Sequence, residues 1–296
     1  MKVCIIALAK MEELYIEEWL DWNYSIGVDH VILGDNNDSD YEHPIKPIVQ
    51  KYIDAGLLTY YDIQNKKKIQ MLYYNEAYRK YALEYDWVGF IDVDEFIYCP
   101  KYNNSIKKYL EETERRGYNA LVFPWINMTA NSKINYEAFP VQKRFTESVC
   151  SAIVSVKYFL KVSPDIVKIN SRHCPDIAKT KNGYKVKGCD TIFETKNFEY
   201  FYNKHGVYKY IHMRRMNLHN HSGYIKHYVT KSFEEYIKFK VIRGRGSEKT
   251  DKRYTFMFFR NHQNDNKEYL NKCHKYYNQI KNQYKNEDLD NLYSKA

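Results

Sequence analysis

The sequence predicts an α/β fold, a largely parallel sheet covered by helices. Three observations lead there: strand and helix patterns alternate through roughly the first hundred residues, the strand segments are continuously apolar, and glycines close the helical stretches. Val3 to Leu8 is uninterrupted apolar chain, as a strand buried on both faces requires. A helix is expected over residues 12–26. There Tyr15, Trp19, Trp22 and Ile26 recur at helical spacing, acidic residues occupy the first turn, and Gly27 ends it. Val31 to Leu33 reads as the second strand, leading into the polar loop from Gly34 to Asp40. Ile45, Ile48, Val49, Tyr52 and Ile53 form an amphipathic stripe closed by Gly56, and Leu57 to Tyr61 is the third strand. A third helix is expected from Ile69 to Leu83, with Leu72, Ala77, Tyr81 and Ala82 facing inward. Trp87 to Ile91 is the fourth strand and runs directly into Asp92-Val93-Asp94-Glu95-Phe96.

Beyond Leu121 the alternation loosens. Short apolar runs at Leu121 to Phe123, Ile153 to Phe159 and Ile166 to Ile169 are separated by polar stretches, which predicts a mixed second half fused to the first without a linker. We therefore divide the chain into residues 1–120, residues 121–250 of the same continuous domain, and a helical, basic, Tyr-rich tail over 251–296.

The balance of 46 basic against 37 acidic residues gives a net charge of +9, which suits anionic partners. The basic residues are scattered, and no nucleic-acid-binding signature accompanies them, so a nucleic-acid partner is not expected. The six cysteines, Cys4, Cys99, Cys150, Cys174, Cys189 and Cys273, lie far apart and predict free thiols in a reducing compartment. No stretch reads as a signal peptide or an 18-residue apolar span, so a cytoplasmic chain is expected, with peripheral contact to an anionic membrane left open.

The acidic cluster carries the chemistry. Two carboxylates one residue apart, just past a strand, can turn toward one hard cation, and oxygen ligands suit Mg²⁺ or Mn²⁺. Open α/β sheets bind ligands outside the carboxyl ends of their strands, where this cluster falls. Crowding three carboxylates there without a cation would be costly through mutual repulsion. A haloacid-dehalogenase-like phosphatase also uses Asp-x-Asp at a strand end, but on the first strand rather than the fourth. A nucleotidyltransferase should show a Gly-rich phosphate loop, and none stands between Ala7 and Leu14.

With these motifs in order, the sequence resembles the glycosyltransferases of GT-A fold, family-2-like and family-92-like. The resemblance rests on Ala7-Leu8-Ala9-Lys10-Met11-Glu12-Glu13 with Tyr15 to Leu20, on Gly27-Val28-Asp29-His30 leading to Asp35-Asn36-Asn37, and on Gln70 with Asn75. Its most specific block is Phe90-Ile91-Asp92-Val93-Asp94-Glu95-Phe96; Pro124-Trp125-Ile126-Asn127 is a weaker echo. His227-Tyr228 with Lys231-Ser232-Phe233-Glu234-Glu235-Tyr236, followed by Lys240 to Gly244, matches the family's ending. Met11 stands where the family usually has Asn.

The resemblance implies a Rossmann-type mixed sheet flanked by helices with an acceptor-side C-terminal half. It also implies a nucleotide-sugar donor, commonly UDP-linked, and a glycan or glycolipid acceptor in surface polysaccharide synthesis. Asp92 and Asp94 are the expected metal ligands, with His227 the candidate third, ahead of His173, His212, His219 and His221. Ala7, Glu12, Asp35, Gln70, Asn75, Asp92, Lys231 and Arg243 are the expected donor contacts. Asp35 has a second reading as an Asx-turn that bonds its own backbone, and Glu12 one as a helix-start residue. An inverting reaction needs a carboxylate base on the acceptor hydroxyl; Glu147, Asp176 and Asp190 compete, with Asp176 favoured by its place beside His173 and Pro175. Two other classes stay in play, a basic nucleic-acid-binding protein and a non-catalytic partner that keeps the fold.

Overall fold

In the computed structural model, which describes residues 1–149, 153–175, 178–190, 207–209, 222–242, 255–264 and 266–283, the opening apolar run forms strand β1 (Val3–Ala9). Its side chains alternate between two hydrophobic clusters, Val3, Ile5 and Ala7 on one face and Cys4 and Ile6 on the other, so both faces of the sheet are covered. Helix α1 (Ile16–Ser25) follows, then β2 (His30–Asp35), α2 (Lys46–Asp54), β3 (Leu58–Asp62), α3 (Gln70–Tyr81) and β4 (Trp87–Phe90). Two corrections concern these helices. α1 starts four residues later than the spacing predicts, because Met11 takes a left-handed φ of 52° and residues 12–15 make a turn. Leu72 lies on the solvent side of α3, 54% exposed, while Tyr73, Tyr74, Ala77 and Tyr78 are buried. The aromatic rings, with hydroxyls that find partners, displaced leucine from the inward face.

The chain continues through β5 (Glu95–Tyr98), α4 (Ile106–Arg115), β6 (Ala120–Asn127), the short α5 (Val141–Arg144), β7 (Ile153–Lys161), β8 (Ile166–Lys168), β9 (Lys179–Thr180), β10 (Gly188–Asp190), β11 (Val207–Lys209) and β12 (Tyr224–His227). The last elements are α6 (Phe233–Tyr236), a π-helical turn over Ile237–Ile242, α7 (Phe256–Asn261) and α8 (Lys267–Gln283). Phe233, Tyr236, Phe259, Tyr269, Leu270 and Cys273 join these into a third hydrophobic cluster.

The main sheet runs β3-β2-β1-β4-β7-β6-β12-β5, with β10 added on β6 and β11 on β7; β8 and β9 form a separate antiparallel pair. β3, β2, β1 and β4 are parallel, β7 is antiparallel to both β4 and β6, and β12 is parallel to β6. The carboxyl ends of β1, β4, β6 and β12 consequently share one edge of the sheet. β5, antiparallel to β12, begins at that same edge with Glu95. The outer side of β5 is closed by α1, whose Trp19 and Trp22 indole N–H groups donate to the carbonyls of Glu95 and Ile97 at 2.9 and 2.8 Å. Among the described residues no helix is long and apolar enough to cross a membrane, and Cys4, Cys99, Cys174 and Cys273 are buried free thiols.

Candidate functional site

The fourth apolar strand ends at Phe90, and the next four residues turn the chain back into β5. Glu95 closes this turn. Its backbone N–H donates to the Asp92 carbonyl at 3.1 Å, and its carboxylate accepts from the Asp92 N–H at 2.9 Å. Val93 and Phe96 are buried, so the polar residues between them cannot leave the sheet edge. Asp94 and Glu95 are buried; the Asp92 side chain is 31% exposed.

Three elements supply cations. Lys157, fully buried on β7, reaches Asp92 at 2.8 Å and Glu95 at 3.3 Å. Lys240, from the π-helical turn, reaches Asp94 Oδ2 at 2.7 Å. Lys231, just past β12 with a left-handed φ of 53°, is buried with its ammonium 4.0 Å from the centre of the Tyr15 ring, beside Glu12 and Asp94. Burial would raise the Asp94 pKa, but Lys240, His227 and Lys231 outweigh it and hold this carboxyl below the usual range. Burial likewise acts against Lys157 and Arg172 at Asp92, where the net direction is also downward. Glu95 goes the other way: burial, opposed by Lys157 and reinforced by Asp92 and Asp94, raises it well above a normal glutamate.

His227 arrives at the end of β12, register-paired with Asn127 of β6. Its Nδ1 lies 3.0 Å from Asn127 Oδ1, and its Nε2 lies 3.7 Å from Asp94 Oδ1. Burial pushes its pKa down to about 3, so the ring is neutral at pH 7. An amide oxygen can only accept, so the proton sits on Nδ1 and the Nε2 lone pair faces a carboxylate oxygen. Two such atoms 3.7 Å apart could both ligate one cation. The Glu95 Oε1 atom supports the same fit: it is buried and has no hydrogen-bond partner among the described residues. One ligand atom each from Asp94, Glu95 and His227 lies within 4.8 Å of the others. Two carboxylates and an imidazole suit Mn²⁺ or Mg²⁺, and the Asn127 contact is the outer-shell support that a metal-binding histidine needs.

Of the residues expected from sequence, the structure brings together Asp92, Asp94, His227, Lys231, Glu12 and Gln70. Asp92 stands beside the metal-capable set rather than in it: its Oδ2 pairs with Lys157, and its Oδ1 accepts from Gln70 Nε2 at 3.3 Å and Tyr74 at 3.2 Å. Gln70 Oε1 in turn accepts from Arg172 at 2.6 Å, and Arg172 Nε donates to His173 Nε2 at 2.9 Å. Ala7 is a buried residue inside β1, paired with Leu33. Asn75 brackets the backbone of Ile169, donating to its carbonyl and accepting from its N–H at 2.9 and 2.8 Å. Asp35 is fully buried in an Asx-turn, accepting from Asn37 N–H at 2.9 Å and from Tyr60 at 2.5 Å. Next to it, Asn36 Oδ1 and Asn37 Nδ2 have no hydrogen-bond partner among the described residues. Asp176 and Arg243 lie outside the described residues, as do His212, His219 and His221.

Sequence reasoning missed Lys157 and Arg172, and it named Lys240 and Asn127 only within motifs, without a role at the site. Lys157 carried a readable signal: a lysine inside the apolar run from Ile153 to Phe159 is a charge forced into a core, where it needs a carboxylate partner.

No family model matches the chain. Over 99 residues it is 28% identical to a glycosyltransferase family 92 protein of Ricinus communis, a match covering 33% of this chain and 17% of that protein. A second match to a protein of the same description is 25% identical over 108 residues, 35% of this chain and 18% of the relative. The chain thus spans less than a fifth of the curated relatives it matches. Among solved structures it is similar to S. aureus TarS 1-349 in complex with UDP (TM-score 0.35, 20% identity, 47% of this chain and 38% of that one). It is also similar to the mannosyltransferase PcManGT of Pyrobaculum calidifontis in complex with GDP-Man and Mn²⁺ (TM-score 0.31, 20% identity, 40% and 34%).

Proposed function

We propose that the chain is a metal-dependent glycosyltransferase that moves a sugar from a nucleotide-linked donor, UDP-linked by the resemblance of its motifs, to a glycan or glycolipid hydroxyl. The observation that carries this reading is the set Asp94, Glu95 and His227 at the carboxyl edge of the sheet, ringed by Lys231, Lys240 and Arg172. The local likeness to family 92 glycosyltransferases supports it. In this reading Asp94, Glu95 and His227 hold the cation, which when bound neutralises charge developing on the departing diphosphate. Lys231 and Arg243 take phosphate oxygens, and the loop of Asp35, Asn36 and Asn37 lies on the nucleoside side. Residues 1–120 form the donor half and 121–250 the acceptor half. The transfer is inverting, with Asp176 as base on the acceptor hydroxyl. The net charge of +9 suits peripheral work at the inner face of a membrane, on surface polysaccharide.

Asp94→Ala tests the reading. The variant should keep its circular-dichroism spectrum but lose Mn²⁺-dependent UDP binding and sugar transfer. In a thermal-shift assay the wild type should gain about 2.7 kcal/mol of stability at a hundredfold excess of ligand over Kd, and the variant none. Unchanged Mn²⁺-linked UDP binding in Asp94→Ala would overturn the assignment.

A further inference from the structure

Asp94 is expected to hold a metal, yet its carboxylate is already neutralised from within the chain. Lys240 Nζ sits 2.7 Å from Asp94 Oδ2, and the two side chains are only 8% and 9% exposed. An ammonium this close and this buried already offsets the charge of Asp94, from Oδ2, while Oδ1 faces His227. The rest of the site is balanced in the same way: Lys157 answers Asp92 and Glu95, and Lys231 lies beside Asp94 and Glu12. A cation added alone would enter a site whose carboxylates are already compensated.

The element that carries Lys240 departs from regular α geometry. Its base is pinned: Ser232 and Glu235 form a capping box at the start of α6, and Glu235 is held by Arg144 at 2.8 and 2.9 Å and by Tyr15 at 2.6 Å. Immediately beyond that base the chain leaves α geometry for the π-helical turn over Ile237–Ile242. π turns are rare and are found frequently at functional sites. Lys240 therefore stands on an irregular turn next to a fixed anchor.

We propose that Lys240 is a positioning residue that holds Asp94 in reserve: it leaves Asp94 for the oxygens of an incoming nucleoside diphosphate, and the freed carboxylate then takes the divalent cation. The inference rests on the donor-site reading above and adds an order to it, with metal and diphosphate binding as a coupled pair and the metal binding poorly alone. Lys240 links the two, since it can neutralise Asp94 or the diphosphate but not both.

The test is Mn²⁺ binding to the full chain, read from the electron paramagnetic resonance signal of free Mn²⁺, with and without UDP. The wild type should bind Mn²⁺ at least on the order of tenfold more tightly with saturating UDP. Lys240→Met should bind Mn²⁺ on the order of tenfold more tightly than wild type without UDP, and lose most of the dependence on UDP. Lys240→Arg, which keeps the charge, should retain weak binding of Mn²⁺ alone. If Lys240→Met is destabilised by its unpaired carboxylate, Mn²⁺ alone should restore its melting temperature while leaving that of the wild type unmoved. Equal Mn²⁺ affinity in wild type and Lys240→Met without nucleotide overturns the proposal, as does wild-type Mn²⁺ binding indifferent to bound UDP. A wild type that does not bind UDP at all overturns the donor reading instead, and the nucleotide-free comparison of the two proteins still decides the role of Lys240.

Discussion

Replacing Glu235 by alanine should be among the most damaging single changes in this chain, because one buried carboxylate ties three segments together. Arg144 and Glu235 side chains are each 2% exposed and meet through two hydrogen bonds of 2.8 and 2.9 Å. Tyr15 donates to the same carboxylate at 2.6 Å, and the Ser232 N–H at 3.0 Å. Glu235→Ala strands a buried guanidinium, a change that typically costs about 3–5 kcal/mol. It also removes a capping box and a hydroxyl partner worth about 1 kcal/mol each, although these overlap with the first loss. The Phe139 carbonyl still accepts from Arg144 Nε at 2.8 Å, which softens the loss. We expect a net destabilisation of about 4 kcal/mol, or roughly 6 °C in Tm for a chain of this size. Urea unfolding followed by tryptophan fluorescence would measure it. The double variant Arg144→Met with Glu235→Leu should cost less than Glu235→Ala alone, since no charge is then left unpaired. A loss below about 1 kcal/mol for Glu235→Ala, or a double variant less stable than the sum of its parts, would refute the reasoning.

Two further outcomes follow from packing and protonation. A Cβ at Gly89 would lie 2.6 Å from two ring carbons of the buried Phe159, so Gly89→Ala should cost about 1–3 kcal/mol, partly recovered by Phe159→Leu; a melting curve matching wild type would contradict this packing. Burial, Lys157 and Arg172 push His173 down to about 3, and burial does the same to His227, so below the ordinary value of 6.5 the unfolded chain takes up protons that the folded rings refuse. Glu95, raised in the folded state, works the opposite way above 4.5. Between pH 6.5 and 4.5 stability should therefore fall on acidification, since two depressed imidazoles outnumber one raised carboxyl. Urea midpoints in metal-free buffer at pH 7.5 and 5.0 check it, and a flat or rising midpoint at the lower pH would count against it.

The alternating half of the fold was readable because a strand buried on both faces must be apolar throughout. Val3 to Leu8 and Trp87 to Ile91 can be recognised without knowing their neighbours. The acidic turn was readable for a related reason, since apolar residues on either side leave Asp92 and Asp94 no place but the sheet edge. Its partners were not. Lys240 is 146 residues from Asp94, and Lys157 answers Asp92 only because β7 runs antiparallel against β4. Sequence alone chose the residues that must gather at an edge, through burial, which each segment satisfies locally. Which cation meets which carboxylate, and that Glu95 rather than Asp92 joins Asp94 and His227, was decided by the strand order β6-β12-β5. Ion pairing depends on distances of a few ångströms between segments far apart in the chain, and only the assembled sheet sets those distances.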